Sequence, residues 1–177
     1  MNEELDNIRA IIRRGIQLSG QSSYARRAAD QRAIPLLQEA KARLRAAIES
    51  GQADYEVFQL LALTHESLLE YRAAIHAIQE CINRSVSPKK DDLKRLARYK
   101  EQLNWWETIS LSPGELKELG IFLHGKLSSV PEYERSFRWT IAWLNEKKHP
   151  SSDKVISGLE QLGACDDFQV LHNIVNG

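Results

Sequence analysis

The stretch YEVFQLLALTHESLLEYRAAIHAIQECINR, residues 55–84, decides the fold. It reads as two helices, 54–69 and 71–84, with almost no loop between them. The second carries a small-large-small series, Ala74, Ile78 and Cys81. Small residues let two helices approach, and large ones fill the gaps between neighbouring turns. The same series occurs one unit earlier. EAKARLRAAIES at 39–50 aligns with AAIHAIQECINR at 73–84, pairing Ala40 with Ala74, Leu44 with Ile78, Ala47 with Cys81 and Ile48 with Ile82. Each pair is 34 residues apart, an offset that marks repeated helical hairpins.

The unit 55–88 resembles a tetratricopeptide repeat. Phe58 falls at its first large aromatic, Leu61 and Ala62 at its Leu-Gly pair, and Tyr71 at its inter-helix aromatic, followed by Ala74, Ile78 and Cys81. Leu69 stands where that repeat usually has glycine and His65 where it has an aromatic. Its terminal proline comes late, at Pro88. The resemblance covers roughly residues 3–108: one clear repeat, one degenerate repeat and a closing helix at 91–108. The degenerate repeat has its opening helix set apart by SGQSSYARRAADQ, and a second register centred on RAIPLLQEA fits there too. The resemblance implies a peptide- or protein-binding face lined by first helices. Its candidates are Glu56, Gln59, Leu63 and Glu66; the alternative is that they are ordinary surface residues beside a neighbouring helix.

The other segments are helical as well. Leu5, Ile8, Ile12 and Ile16 form one stripe over 3–18. A short helical piece is expected near Tyr24–Arg32. Pro35 fits the start of a helix ending near Ser50. Leu93, Leu96, Tyr99, Leu103 and Trp106 are expected to face inward from 91–108. Ser112 and Pro113 form a helix-start signature. Helices then follow near 113–127, 132–147, 152–162 and 166–175. No segment shows strand alternation. The expected fold is all-α: a tetratricopeptide-like antiparallel stack over 1–108, then a small four-helix unit over 109–177.

At 177 residues, 42% hydrophobic and 27% charged, the chain can bury a core without disulfides. Two cysteines in helical patterns, an N-terminus unlike a signal peptide and no run of 18 apolar residues point to a reduced, cytoplasmic, bacterial-type protein off the membrane. The formal net charge is zero. Yet residues 84–100 hold Arg84, Lys89, Lys90, Lys94, Arg95, Arg98 and Lys100 against Asp91 and Asp92. Such a run is a solvated face or a docking site for an acidic partner. It lacks the wide stripe and motif that nucleic-acid binding needs.

The region RSFRWTIAWL … VISGLEQLGACDDFQVLHNIV resembles a bacterial domain of unknown function. That domain reads C-D-H-T-L-R-x-T near its first helix pair and G-x-C-D-C-E-V-L-x-N-V at its end. Arg138, Thr140, Gly163, Cys165, Asp166, Val170, Leu171, Asn173 and Val175 match; Tyr133 and Asp167 replace its cysteines. No reaction follows from the resemblance. Cys165 and His172 would lie two helical turns apart, about 10 Å by rise, too far to share a metal ion. Asp166 or Asp167 is expected to cap the last helix, Gly163 to end the one before it, Cys165 to fill a small buried gap, and Phe168, Leu171, Ile174 and Val175 to form a buried stripe.

No HExxH, P-loop or GxSxG motif occurs, and no cofactor or metal is expected. On helix 132–147 the expected inward stripe is Tyr133, Phe137, Thr140, Ile141 and Leu144. Trp143 then lies on its flank and Trp139 on nearly the opposite side, an apolar patch for a partner or for docking the two halves. The adjacent Trp105 and Trp106 pose the same choice. The sequence points to a non-catalytic adaptor or scaffold. The alternative is an immunity-type inhibitor that neutralises a toxin by one-to-one binding. The oligomeric state is left open.

Overall fold

The computed structural model describes residues 2–21, 29–128 and 135–175. The expected helical piece near Tyr24 and the place of Tyr133 fall largely outside them. Among the described residues every regular element is helical. The chain forms two compact units, Met1–Leu103 and Asn104–Gly177.

In the first unit, α1 (Asn2–Leu18) buries Leu5, Ile8 and Ile12. α2 (Ile34–Glu49) starts with Pro35 in its first turn, where a missing N–H costs nothing, and buries Leu37, Ala40 and Leu44. α3 (Tyr55–Ser67) is opened by Asp54, whose carboxylate accepts the Val57 amide at 2.9 Å. α4 (Tyr71–Asn83) buries Tyr71, Ala74, Ala77, Ile78 and Cys81. α3 and α4 pack as a tight hairpin. α1 packs on both α2 and α3, and α2 packs on α3. Ala40, Ala62 and Ala74 are fully buried, so small side chains mark these close approaches.

The α3–α4 turn closes through Leu69 at φ +59°. The Glu70 amide reaches back to the His65 carbonyl at 2.9 Å. Leucine here adopts the left-handed conformation that glycine tolerates best, at a cost of roughly 1 kcal/mol.

α5 (Lys90–Ile109) corrects one expectation. Leu93 is 48% exposed rather than inward. The buried line instead runs through Asp92 and Tyr99, seven residues apart, with Leu96 and Leu103 half-buried beside it. Asp92 turns inward because the Tyr55 hydroxyl donates to its carboxylate at 2.7 Å, and position 93 is then rotated about 100° outward.

In the second unit, α6 (Pro113–Leu127) opens with a capping box. The Ser112 hydroxyl accepts the Glu115 amide, and the Glu115 carboxylate accepts the Ser112 amide. These bonds hold the Glu115 carboxyl below its ordinary range. α7 (Arg138–Glu146) starts later than the sequence suggests: 135–137 is irregular, and Phe137 precedes the helix. α8 (Ser152–Gln161) ends before Gly163 at φ +87°, the left-handed position that glycine occupies freely. The chain then enters α9 (Asp167–Gln169), which runs straight into a π-helical turn, Val170–Val175. The core combines Leu116, Leu119 and Leu123 with Trp143, Leu144, Val155, Leu159, Val170, Leu171 and Ile174. α8 meets the end of α5 at Gly158, where any Cβ would collide with the Thr108 backbone carbonyl.

Candidate functional site

Three of the four residues proposed for the first-helix face stay partly open and the fourth is buried. Glu56 pairs with Arg9 of α1 and is partly exposed. Gln59 is half-buried and donates to the Tyr55 hydroxyl at 3.3 Å, which in turn donates to Asp92. Leu63 is half-buried. Glu66 is not on an open face: it is 2% exposed. Its carboxylate accepts Arg98 Nη2 at 2.7 Å and the Tyr99 hydroxyl at 2.9 Å. Burial and the neighbouring Glu66 charge raise the Tyr99 phenol, so Tyr99 stays a donor. Glu56 therefore ties α3 to α1, and Glu66 ties α3 to α5. The open part of the row is Glu56, Gln59 and Leu63.

A second polar network lies behind this hairpin. His65 is buried, with Nδ1 at 2.5 Å from Glu70 Oε2, and Glu70 also accepts Lys41 Nζ at 2.8 Å. Burial pushes His65 below its ordinary value, outweighing the pull of Glu70. Burial would raise Glu70, but its bonds to Lys41 and His65 prevail and lower it. Through Glu70 the imidazole links α2, α3 and the α3–α4 turn. Cys81 is fully buried, its Sγ 3.5 Å from the Tyr55 carbonyl. Burial, with the Asp92 charge, pushes its thiol up to about 11, which keeps it protonated near neutral pH.

The basic run also divides. Arg84 lies over the Phe58 ring at 4.2 Å and donates to the Ala53 carbonyl. Lys89 lies 4.1 Å over the Tyr55 ring, and Arg98 serves Glu66. These three support the hairpin. Lys90, Lys94 and Lys100 point outward.

In the second unit, Asp166 caps α9, accepting the Gln169 amide at 2.8 Å. Asp167 does something the sequence did not reveal. Buried, it accepts the Trp139 amide at 2.7 Å, the Thr140 amide at 2.9 Å and the Thr140 hydroxyl at 2.6 Å. It caps α7 from a distance in sequence, where a carboxylate meets the positive end of the helix. With Asp167 turned inward, the next side chain turns out: Phe168 is 47% exposed and stacks on His172 at 4.1 Å. The buried stripe is Val170, Leu171 and Ile174. Cys165 is exposed, not a buried filler, and Ala164 takes the buried place. Among the described residues no group of three or more His, Cys, Asp or Glu side chains is placed to hold a metal ion.

Capping also sets the phase of α7. Thr140, Trp143 and Leu144 face the core, while Ile141 is 46% exposed. Trp143 is 3% exposed and belongs to the core, so the expected two-tryptophan patch does not form. Trp139 is half-buried, with Arg138 Cζ 4.8 Å and Lys126 Nζ 5.2 Å from its ring centre. Trp105 and Trp106 meet edge to face at 4.7 Å, and both touch the core of this unit. A perpendicular ring pair is how adjacent residues share one contact region.

Among the described residues no helix is long and apolar enough to cross a membrane. No family model matches the chain, and neither a curated protein nor a solved structure does.

Proposed function

We propose that this chain is a non-catalytic protein-binding module that holds a partner across α1 and α3. The observation that carries the reading is the side-by-side packing of α1 and α3, pinned by Arg9 and Glu56, with Gln59 and Leu63 half-open next to them. First helices set next to each other are how tetratricopeptide stacks build a binding face. Four carboxylates with positional roles support this reading. Glu66 and Asp92 fix α5, Glu70 fixes the hairpin turn and Asp167 fixes α7. Gln59 is oriented by the Tyr55–Asp92 chain, and Leu63 supplies apolar contact. An oriented amide beside an apolar side chain suits an extended peptide or a protein surface.

The test is capture from the native source, followed by calorimetry with the purified partner. Leu63→Glu combined with Gln59→Lys should abolish capture while leaving the melting midpoint within a few degrees. Undiminished affinity in that variant removes the α1–α3 face. A turnover measured with the wild type and lost in Cys165→Ala would refute the non-catalytic reading itself. Tight one-to-one binding to a toxic enzyme would identify an inhibitor, and micromolar binding to short peptides an adaptor.

A further inference from the structure

α5 carries a second surface. Its inward side is occupied by Asp92, Leu96, Tyr99 and Leu103. Its outward side presents Lys90, Leu93, Lys94, Ala97, Lys100 and Glu101, all exposed. At 100° per residue these six share an arc of roughly 120°, with Ala97 near its centre and Leu93 beside it. Leu93 is one of the few large apolar side chains exposed in the first unit. Lys90, Lys94 and Lys100 form no ion pair among the described residues, unlike Arg84 and Arg98 of the same run.

We propose that this outward face of α5 docks an acidic amphipathic helix of a partner protein. Leu93 and the low-profile Ala97, one turn apart, give a small apolar seat near the middle of a polar face about three turns long, on which a helix can lay its apolar stripe. Lys94 and Lys100 at the edges of the arc, and Lys90 at its N-terminal end, would meet carboxylates flanking that stripe, and their methylene stems extend the apolar surface. Glu101, at the C-terminal end of this face, favours a base at one end of the incoming helix and so sets its direction. The charge pattern argues against the other occupants. A second copy of this chain would bring lysine against lysine across a two-fold axis. A nucleic-acid backbone would leave Leu93 without a partner, and three lysines on one short helix face make a narrower basic stripe than nucleic-acid binding needs. A bilayer surface needs a broader apolar face than Leu93 and Ala97 provide.

This inference does not rest on the α1–α3 face, and the two can be separated. The full-length chain is titrated against two labelled synthetic helices of equal length, followed by fluorescence anisotropy. Both have leucine and alanine along one stripe; one has glutamate on the flanks and the other lysine. The glutamate helix should bind, more weakly as salt is raised. Reversing Lys90→Glu, Lys94→Glu and Lys100→Glu together should weaken it about tenfold or more and make the lysine helix bind instead. Leu93→Ser should weaken it several-fold, and Leu63→Glu should leave it unchanged. Circular dichroism melts confirm that each variant is folded, which these exposed positions favour. Equal binding of the two helices, no binding of either, or indifference to charge reversal overturns the proposal. So does loss of binding in Leu63→Glu, which would move the site to α1–α3. Tighter binding to a DNA duplex or to phosphatidylserine vesicles, or a dimer that dissolves on Leu93→Ser, would likewise replace the acidic helix as occupant.

Discussion

Polar bonding is used differently in the two units. In Met1–Leu103 it runs between helices: Glu66 joins α3 to α5, and Lys41, Glu70 and His65 join α2 to the α3–α4 hairpin. In Asn104–Gly177 it sits at helix ends: Ser112 and Glu115 start α6, Asp166 starts α9, and Asp167 starts α7. Cross-links between helices fix how hairpins stack, whereas caps fix where helices begin. The first unit depends on the register of its neighbours, and the second on the phase of each helix.

The largest expected effect lies at a helix end. Asp167→Ala removes three charge-assisted bonds from buried donors and should cost about 2–4 kcal/mol in urea denaturation. A loss below about 1 kcal/mol would mean that the α7 start finds other acceptors, and the contrast between the units would fade. Next comes the cross-link: Glu66→Gln should cost about 1–3 kcal/mol by weakening two bonds to a buried carboxylate. Tyr99→Phe alone should cost less, and the double mutant should show coupling of about 0.5 kcal/mol or more. Strict additivity would show that Glu66 and Tyr99 do not act together.

A pH experiment sharpens the same comparison. His65 titrates below its ordinary value near 6.5 in the folded chain because burial disfavours the cation. The unfolded chain therefore binds more protons in that range. His65 contributes stability above about pH 6.5 that is lost as pH falls toward the folded-state value. The lowered Glu70 adds a loss of the same sign further down, below its ordinary value of 4.5. His65→Phe, which installs an aromatic, should flatten the stability profile between about pH 7.5 and 5.5 relative to wild type. An unchanged slope would remove His65 as its source. The smallest effect is at the hairpin turn. Leu69→Gly should gain up to about 1 kcal/mol by relieving the left-handed backbone, partly offset by losing a half-buried side chain. A clear loss of stability would show that the Leu69 side chain outweighs the strain.

Helix boundaries were legible where the signal is local. Pro35, Ser112 with Pro113, and Gly163 all sit at helix ends, because capping and backbone chemistry act within a few residues. Helix phase was less legible. Leu93, Ile141 and Phe168 were all expected inward and all face out. In each case a neighbouring aspartate or cap set the rotation, and its partner lay far along the chain. Glu66 was misplaced for the same reason. Its position on α3 marks it as a surface residue until Arg98, 32 residues later, and Tyr99, 33 residues later, are brought beside it. The one available signal was a second acid, near the end of α3, in a chain whose run of bases follows at 84–100.

The Asp167 carboxylate also bears on the order of events during synthesis. α7 leaves the ribosome with its first amides bare, and the group that satisfies them is made 27 residues after Thr140. Until that side chain emerges, the start of α7 has only water as an acceptor. Maturation of the second unit therefore waits on the segment translated last among its helices.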